Sequence, residues 1–151
     1  MAGASLFLLL AVCSIAAQQR QLTATTFTVK GYKLHLRERE GKCVVVYERQ
    51  KRSDEQALDL PAPCQFVRHP KNRNTAQSYT YKDLRNATVL LVVGGPLNAK
   101  RTDALMPDGC GTQWQAIILR RGSVSVSKIS QGSTLCPSAG TDEKMFWVAA
   151  H

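Results

Sequence analysis

Apolar and polar residues alternate with a period of two along most of this chain, the spacing of half-buried strands. Phe27 and Val29 alternate with Thr26, Thr28 and Lys30, and Tyr32, Leu34 and Leu36 alternate with Lys33, His35 and Arg37. The apolar phase flips across Gly31, which predicts a β-bulge or a strand break there, because one extra residue restores a common inward face. Cys43 to Tyr47 is a β-branched run, and Leu58–Leu60 reads as its short partner before Pro61 and Pro63 end the pairing. Tyr79 and Tyr81 alternate with Ser78, Thr80 and Lys82. Val89 to Val93 is apolar throughout, the pattern of a central buried strand, and Gly94-Gly95-Pro96 closes it.

The C-terminal third carries the strongest hairpin signal. Gln113 to Leu119 is followed by Arg120-Arg121-Gly122, then by Val124 and Val126 set between Ser123, Ser125 and Ser127. Met145 to Val148 supplies a final apolar strand or short helix; elsewhere a helix fits only Gln18–Thr26 and Lys82–Asn86. No segment repeats at a fixed period. The expected fold is all-β: a disulfide-stabilised antiparallel sandwich or small barrel, with Trp114 and Trp147 in or at the edge of its core.

The first residues change the setting of this domain. Met1 to Ala17 has the build of a secretory signal peptide: an apolar stretch from Leu6 to Val12, then small residues at Ser14, Ala16 and Ala17. Cleavage near Ala17/Gln18 leaves 18–151 as one secreted β-rich domain. A buried N-terminal helix is one alternative. A lipidated Cys13 is another, although Val12 stands where that pattern wants Gly, Ala or Ser. The segment is too short to span a membrane, which takes about 20 apolar residues, and no later run approaches that length.

Export, to the outside or to a periplasm, places the remaining cysteines in an oxidising compartment. Cys43, Cys64, Cys110 and Cys136 are even in number, with no CxxC pair and no clustered His, so disulfides are expected and a metal is not. Three pairings are open. Cys43–Cys64 and Cys110–Cys136 are favoured because each brackets a strand-turn-strand unit, and each stabilises by about 3 kcal/mol on the chain-entropy model.

Charge points to the partner. The chain holds 20 Lys+Arg against 11 Asp+Glu, a net +9, which biases an exported domain toward an acidic protein or an anionic polymer, glycan or nucleic acid. The cations fall in groups: Arg37, Arg39 and Lys42; Arg49, Lys51 and Arg52; Arg68, Lys71 and Arg73; Lys100 and Arg101; Arg120 and Arg121. Turns of a β domain gather at its two ends, so several groups can share one end, while Glu38, Glu40, Glu48, Asp54 and Glu55 offset some of them. Arg49–Gln56 reads as a charged hairpin tip or longer loop, Arg68–Gln77 as the most basic loop, and Gly94–Gly111 as the longest structureless reach. The candidate binding residues are Arg68, Lys71, Arg73, Lys100, Arg101, Arg120 and Arg121, with Leu105 and Met106 as an apolar tip of the longest loop.

Enzyme signatures are absent: there is no G-x-S-x-G elbow, H-E-x-x-H helix or Walker loop. The alternative catalytic reading takes His35 and His69, or one of them with Glu38 or Glu40, as general acid and base of a ribonuclease-like hydrolase, with arginines steadying the phosphorane. No cofactor is expected. Asn86-Ala87-Thr88 is an N-glycosylation sequon if the source is eukaryotic. The leading expectation is a secreted non-enzymatic binding module, such as an inhibitor or adaptor, acting through its loops. A further alternative is a small-molecule carrier with an apolar barrel interior near Trp114 or Trp147.

Overall fold

The computed structural model describes residues 26–95 and 109–151. The expected signal segment Met1–Ala17 lies outside the described residues. So does most of the Gly94–Gly111 loop, with Lys100, Arg101, Leu105 and Met106.

Four strands, β1 (Thr26–Val29), β2 (Tyr32–Arg39), β3 (Lys42–Arg49) and β4 (Arg52–Pro61), form an antiparallel meander in that order. The phase flip across Gly31 is a strand break and not a bulge. A two-residue turn, Lys30–Gly31 with φ of 50° and 77°, sets Val29 opposite Tyr32 and Phe27 opposite Leu34. Facing positions of such a hairpin have opposite parity, so odd residues before the turn and even residues after it share one face. Glu40–Gly41 and Gln50–Lys51 make the next turns, also with positive φ. The charged Arg49–Gln56 stretch is thus a tight hairpin tip whose strands run right up to the turn.

The second sheet is built on β9 (Ala87–Gly94) and β10 (Gly111–Arg120), an antiparallel pair. Each outer edge of this pair carries two short strands end to end. On β9 these are β5 (Gln65–Phe66) and β8 (Ser78–Tyr81); on β10 they are β11 (Ser123–Val126) and β12 (Ser130–Leu135). Between β5 and β8 the chain leaves the sheet as a small hairpin, β6 (Arg68–His69) with β7 (Asn72–Ala76). The expected basic loop over Arg68–Gln77 is therefore mostly paired backbone. Its missed signal is Asn72 to Thr75, an exposed polar run without apolar alternation, which reaches the core at Ala76.

The two sheets stack as an antiparallel sandwich. Phe27, Leu34, Leu36, Val45, Leu58 and Leu60 from the first meet Phe66, Leu90, Val92, Ile117 and Leu119 from the second. The far face of the second sheet (Val89, Leu91, Val93, Trp114, Ala116 and Ile118) is covered by Leu135 and by Phe146 and Ala149 of a helix, α1 (Glu143–Ala150). Burial on both faces is why Val89 to Val93 shows no alternation. Among the described residues no barrel closes. The outer edges of β1 and β8 stay apart around a cleft of about 410 Å³ bordered by Thr26, Thr28, Asn74, Ser78, Thr80 and Thr88. Side chains fill the space between the sheets, so the carrier expectation loses its apolar barrel.

Met145–Val148 belongs to α1, where Asp142 caps the N-terminus and accepts a hydrogen bond from the Met145 amide. Helical spacing turns Phe146 and Ala149 inward and Trp147 outward. Of the two tryptophans expected in or at the edge of the core, Trp114 is buried and Trp147 is 46% exposed. The His151 ring stacks on Trp147 at 4.1 Å and reaches Asp83 at 3.1 Å. Lys82–Asn86, whose sequence tolerates a helix, forms the turn between β8 and β9.

Both expected disulfides are present. Cys43–Cys64 closes the β3–β4 unit with Cα atoms 6.0 Å apart, and Cys110–Cys136 ties the start of β10 to the end of β12 at 4.1 Å. Two further devices hold the sheets together. Gln115, fully buried on β10, accepts from the Asp59 amide of β4 at 2.8 Å and donates to the Ser127 carbonyl at 2.7 Å. Gly94 lets β9 approach β4 closely: a Cβ there would stand 2.6 Å from the Leu60 Cβ and 2.7 Å from the Pro61 carbonyl oxygen.

Tyr81 is buried beneath α1 and donates its hydroxyl hydrogen bond to the Glu143 carbonyl at 3.1 Å. Burial first, then the nearby charge of Glu143, pushes its phenol from the ordinary 10.0 up to about 12. The folded state therefore keeps a proton that the unfolded chain gives up, so this stability is full below pH 10.0 and is lost as pH rises toward about 12. Denaturant unfolding followed across that window should show this loss, and Tyr81→Phe should flatten it.

Candidate functional site

Strands of similar length joined by two-residue turns send alternate turns to opposite ends of a meander. Lys30–Gly31 and Gln50–Lys51 share one end of the first sheet, and Glu40–Gly41 lies at the other. The Arg121–Gly122 turn of the second sheet comes to the first of these ends. Tyr32, buried between the sheets, donates its hydroxyl to the Arg120 carbonyl at 3.1 Å. The same hydroxyl accepts from Arg49 Nη1 at 3.2 Å, and the Arg49 guanidinium lies 5.0 Å from the Tyr32 ring centroid. One phenol thus ties the Lys30–Gly31 turn, the last residue of β3 and the last residue of β10.

The result is a basic end. Lys30, Lys33, Lys51, Arg52 and Arg121 are exposed there, and Arg49 and Arg120 are half-buried. Glu48 pairs with Lys33 at 3.5 Å, and Asp54 lies beside Tyr47. Burial and then the Asp54 carboxylate hold the Tyr47 phenol above its ordinary value, so Tyr47 stays neutral across physiological pH. A groove of about 340 Å³ opens between the two hairpin tips, bordered by Gly31, Lys33, Arg49, Lys51, Arg52 and Glu48. Arg120 is steadied by a 2.9 Å hydrogen bond to Ser125 Oγ. The β9–β10 register, extended past Thr88–Leu119, also brings the β8–β9 turn, with Lys82, Asp83 and Arg85, to this end.

The other basic groups are placed differently. Arg37 and Arg39 both pair with Glu55 on the outer face of the first sheet, Arg39 at 2.6 Å. Val44 and Val46 are buried on that otherwise exposed face, opposite Arg37 and His35 of β2. Arg68, expected as a binding residue in an exposed loop, is buried. It donates from Nη1 to the Arg73 carbonyl at 2.9 Å, and its guanidinium lies 5.8 Å from the Phe27 ring. Its charge braces the β6–β7 hairpin instead of facing a ligand. Lys71 and Arg73 are exposed on that hairpin, a separate element from the three basic tips.

The alternative catalytic residues do not assemble. His35 and Glu38 lie three residues apart on the regular strand β2 and so face opposite sides of it. His35 stands on the outer face of the first sheet between Thr26 and Val46, whereas His69 belongs to the hairpin attached to the second sheet, with its Nδ1 accepting from the Lys71 amide at 3.2 Å. Among the described residues no three His, Cys, Asp or Glu side chains gather as a metal site. No helix among them is long and apolar enough to cross a membrane.

Sequence reasoning allows several basic groups, Arg49, Lys51 and Arg52 and Arg120 and Arg121 among them, to share one end, but it does not say which do and leaves Lys30 out. The signal is present in the ten-residue spacing of Lys30-Gly31, Glu40-Gly41 and Gln50-Lys51, which sends the first and third turns to one end. Compared with protein-family models, with curated proteins and with solved structures, the chain matches none.

The Gln50–Lys51 tip carries strain. Its φ values are 48° and 67°, and the second position, where such turns favour glycine, is Lys51. Lys51→Gly should raise stability by about 0.5–1 kcal/mol, read as a higher urea midpoint. An unchanged or lower midpoint would show that the tip is not strained.

Proposed function

We propose that this protein is a secreted, non-enzymatic binding module that engages an acidic protein or anionic polymer through its basic hairpin end. The observation that carries this reading is the convergence of Lys30, Arg49, Lys51, Arg52, Arg120 and Arg121 at one end of the sandwich, tied there by Tyr32. The signal-like Met1–Ala17 segment and the paired cysteines support export. Cations carried on short hairpins need little backbone ordering on binding, and the Arg49 side chain is already held by the Tyr32 hydroxyl. Their summed field steers an anionic partner to that end, and a partner with several charges displaces the counterions held there. The lysine at the strained tip fits this reading, since a residue that stands against backbone preference is a common mark of a functional position. An inhibitor or adaptor is one concrete form of such a module.

A sulfated polysaccharide serves as the probe. Lys51→Glu, Arg52→Glu and Arg121→Glu together should weaken its binding on the order of tenfold or more at about 0.15 M salt, and should lower the slope of log affinity against log salt by about 2. Lys71→Glu with Arg73→Glu, on the separate hairpin, should change binding far less. Equal losses from the two sets, or binding indifferent to salt, would contradict the assignment.

A further inference from the structure

The β8–β9 turn holds the one sequence motif that this binding role leaves unused, Asn86-Ala87-Thr88. Asn86 is exposed, with a φ of 58°, and among the described residues no hydrogen bond holds its amide. Thr88 is the reverse: it is 2% exposed, on the inner face of β9, and its hydroxyl bonds Thr80 Oγ1 at 2.9 Å. The acceptor side chain faces solvent in the folded protein, while the hydroxyl that defines the motif is locked inside a finished hairpin.

We infer that Asn86 is an N-glycosylation site that is modified before β8 and β9 pair. This rests on the export reading above, with export through a eukaryotic secretory route. In the reaction the Asn86 amide nitrogen attacks the anomeric carbon of a lipid-pyrophosphate-linked oligosaccharide. A C–N bond forms, the C–O bond to the pyrophosphate breaks, the amide proton passes to a base of the transferase, and the lipid pyrophosphate leaves. The requirement for Ser or Thr two residues after the asparagine means that this hydroxyl is itself recognised, so it has to be free when the transfer occurs. In the folded chain it lies at the wall of the β1–β8 cleft, 2% exposed and bonded to Thr80; presenting it together with Asn86 to a transferase means opening the β8–β9 pairing, which also uncovers the buried Ala87 and Val89. Folding then fixes the product: the glycan stays on the exposed turn, at the end of the sandwich that carries the basic tips, and the sequon hydroxyl is sealed beneath it.

The test presents the purified chain to a eukaryotic oligosaccharyltransferase with its lipid-linked donor, in two states: folded and oxidised, or reduced and unfolded. The readout is the mass of the Asn86 peptide before and after a glycan-releasing amidase that hydrolyses the Asn–sugar amide bond and converts glycosylated Asn to Asp. Transfer to the unfolded chain should exceed transfer to the folded chain by about tenfold or more. Thr88→Ser should retain transfer, whereas Thr88→Ala and Asn86→Gln should abolish it. No transfer to Asn86 in the unfolded chain would overturn the site, and equal transfer to both states would overturn the order of events. The assay needs neither the chain's own export nor its anion binding, so failure here is distinct from failure of the proposed function, which the sulfated-polysaccharide probe reads separately.

Discussion

The hydroxyl of Tyr32 accepts a hydrogen bond from Arg49 and gives one to the carbonyl of Arg120, joining two strands of one sheet to a strand of the other. Each partner ends a strand beside a basic turn, so this bond decides how three hairpin tips sit relative to one another. It also moderates the repulsion that such a gathering creates. Arg49 lies over the Tyr32 ring, where the negative face of the aromatic system offsets part of its charge. Tyr47 packs edge-on at 6.4 Å and completes the apolar floor beneath the cations. Remove the phenol, and the three tips retain their charges but lose their common anchor.

That arrangement depends in turn on a rigid frame. The β9–β10 pair is buried on both faces, by the first sheet on one side and by α1 and β12 on the other. Such a pair has little freedom to shift register, since a slip by one residue would exchange the two buried faces. The amide of Gln115 adds direction to an otherwise apolar interface, fixing β4 against β10 through groups that would be costly to leave unpaired. The sheets meet closely where Gly94 touches β4 and remain parted at the hydroxyl-lined cleft between β1 and β8. The sandwich is closed on one side and open on the other, with the basic tips at one end.

Much of this is legible in the chain because strands read locally. The period of two locates β1, β2 and β8, the unbroken apolar run locates β9, and bracketing by strand units selects the correct disulfide pairs among three possibilities. Arg121-Gly122 is recognisable as a turn from its place between two apolar-rich runs. What fails is nonlocal. Arg68 reads as exposed because its neighbours are polar, but its place beside Phe27 depends on how the β6–β7 hairpin folds back over β1. The apolar neighbours of Trp147 suggest a place in or at the edge of the core. A helix there turns it outward, and that follows from the Asp142 cap more than from hydrophobicity. Convergence of the basic tips needs the register of β2 with β3 and a contact across the sandwich, neither of which periodicity supplies.

The central claim is that one end of the sandwich, and no other surface, receives the anion. It is tested most directly by following backbone amide resonances while a short sulfated oligosaccharide is titrated into the oxidised protein. The account requires the largest shifts to cluster at Lys30–Lys33, Arg49–Ser53 and Arg120–Ser123, and to shrink together as salt is added. Shifts centred on Lys71 and Arg73, or spread evenly over the cations, would contradict it.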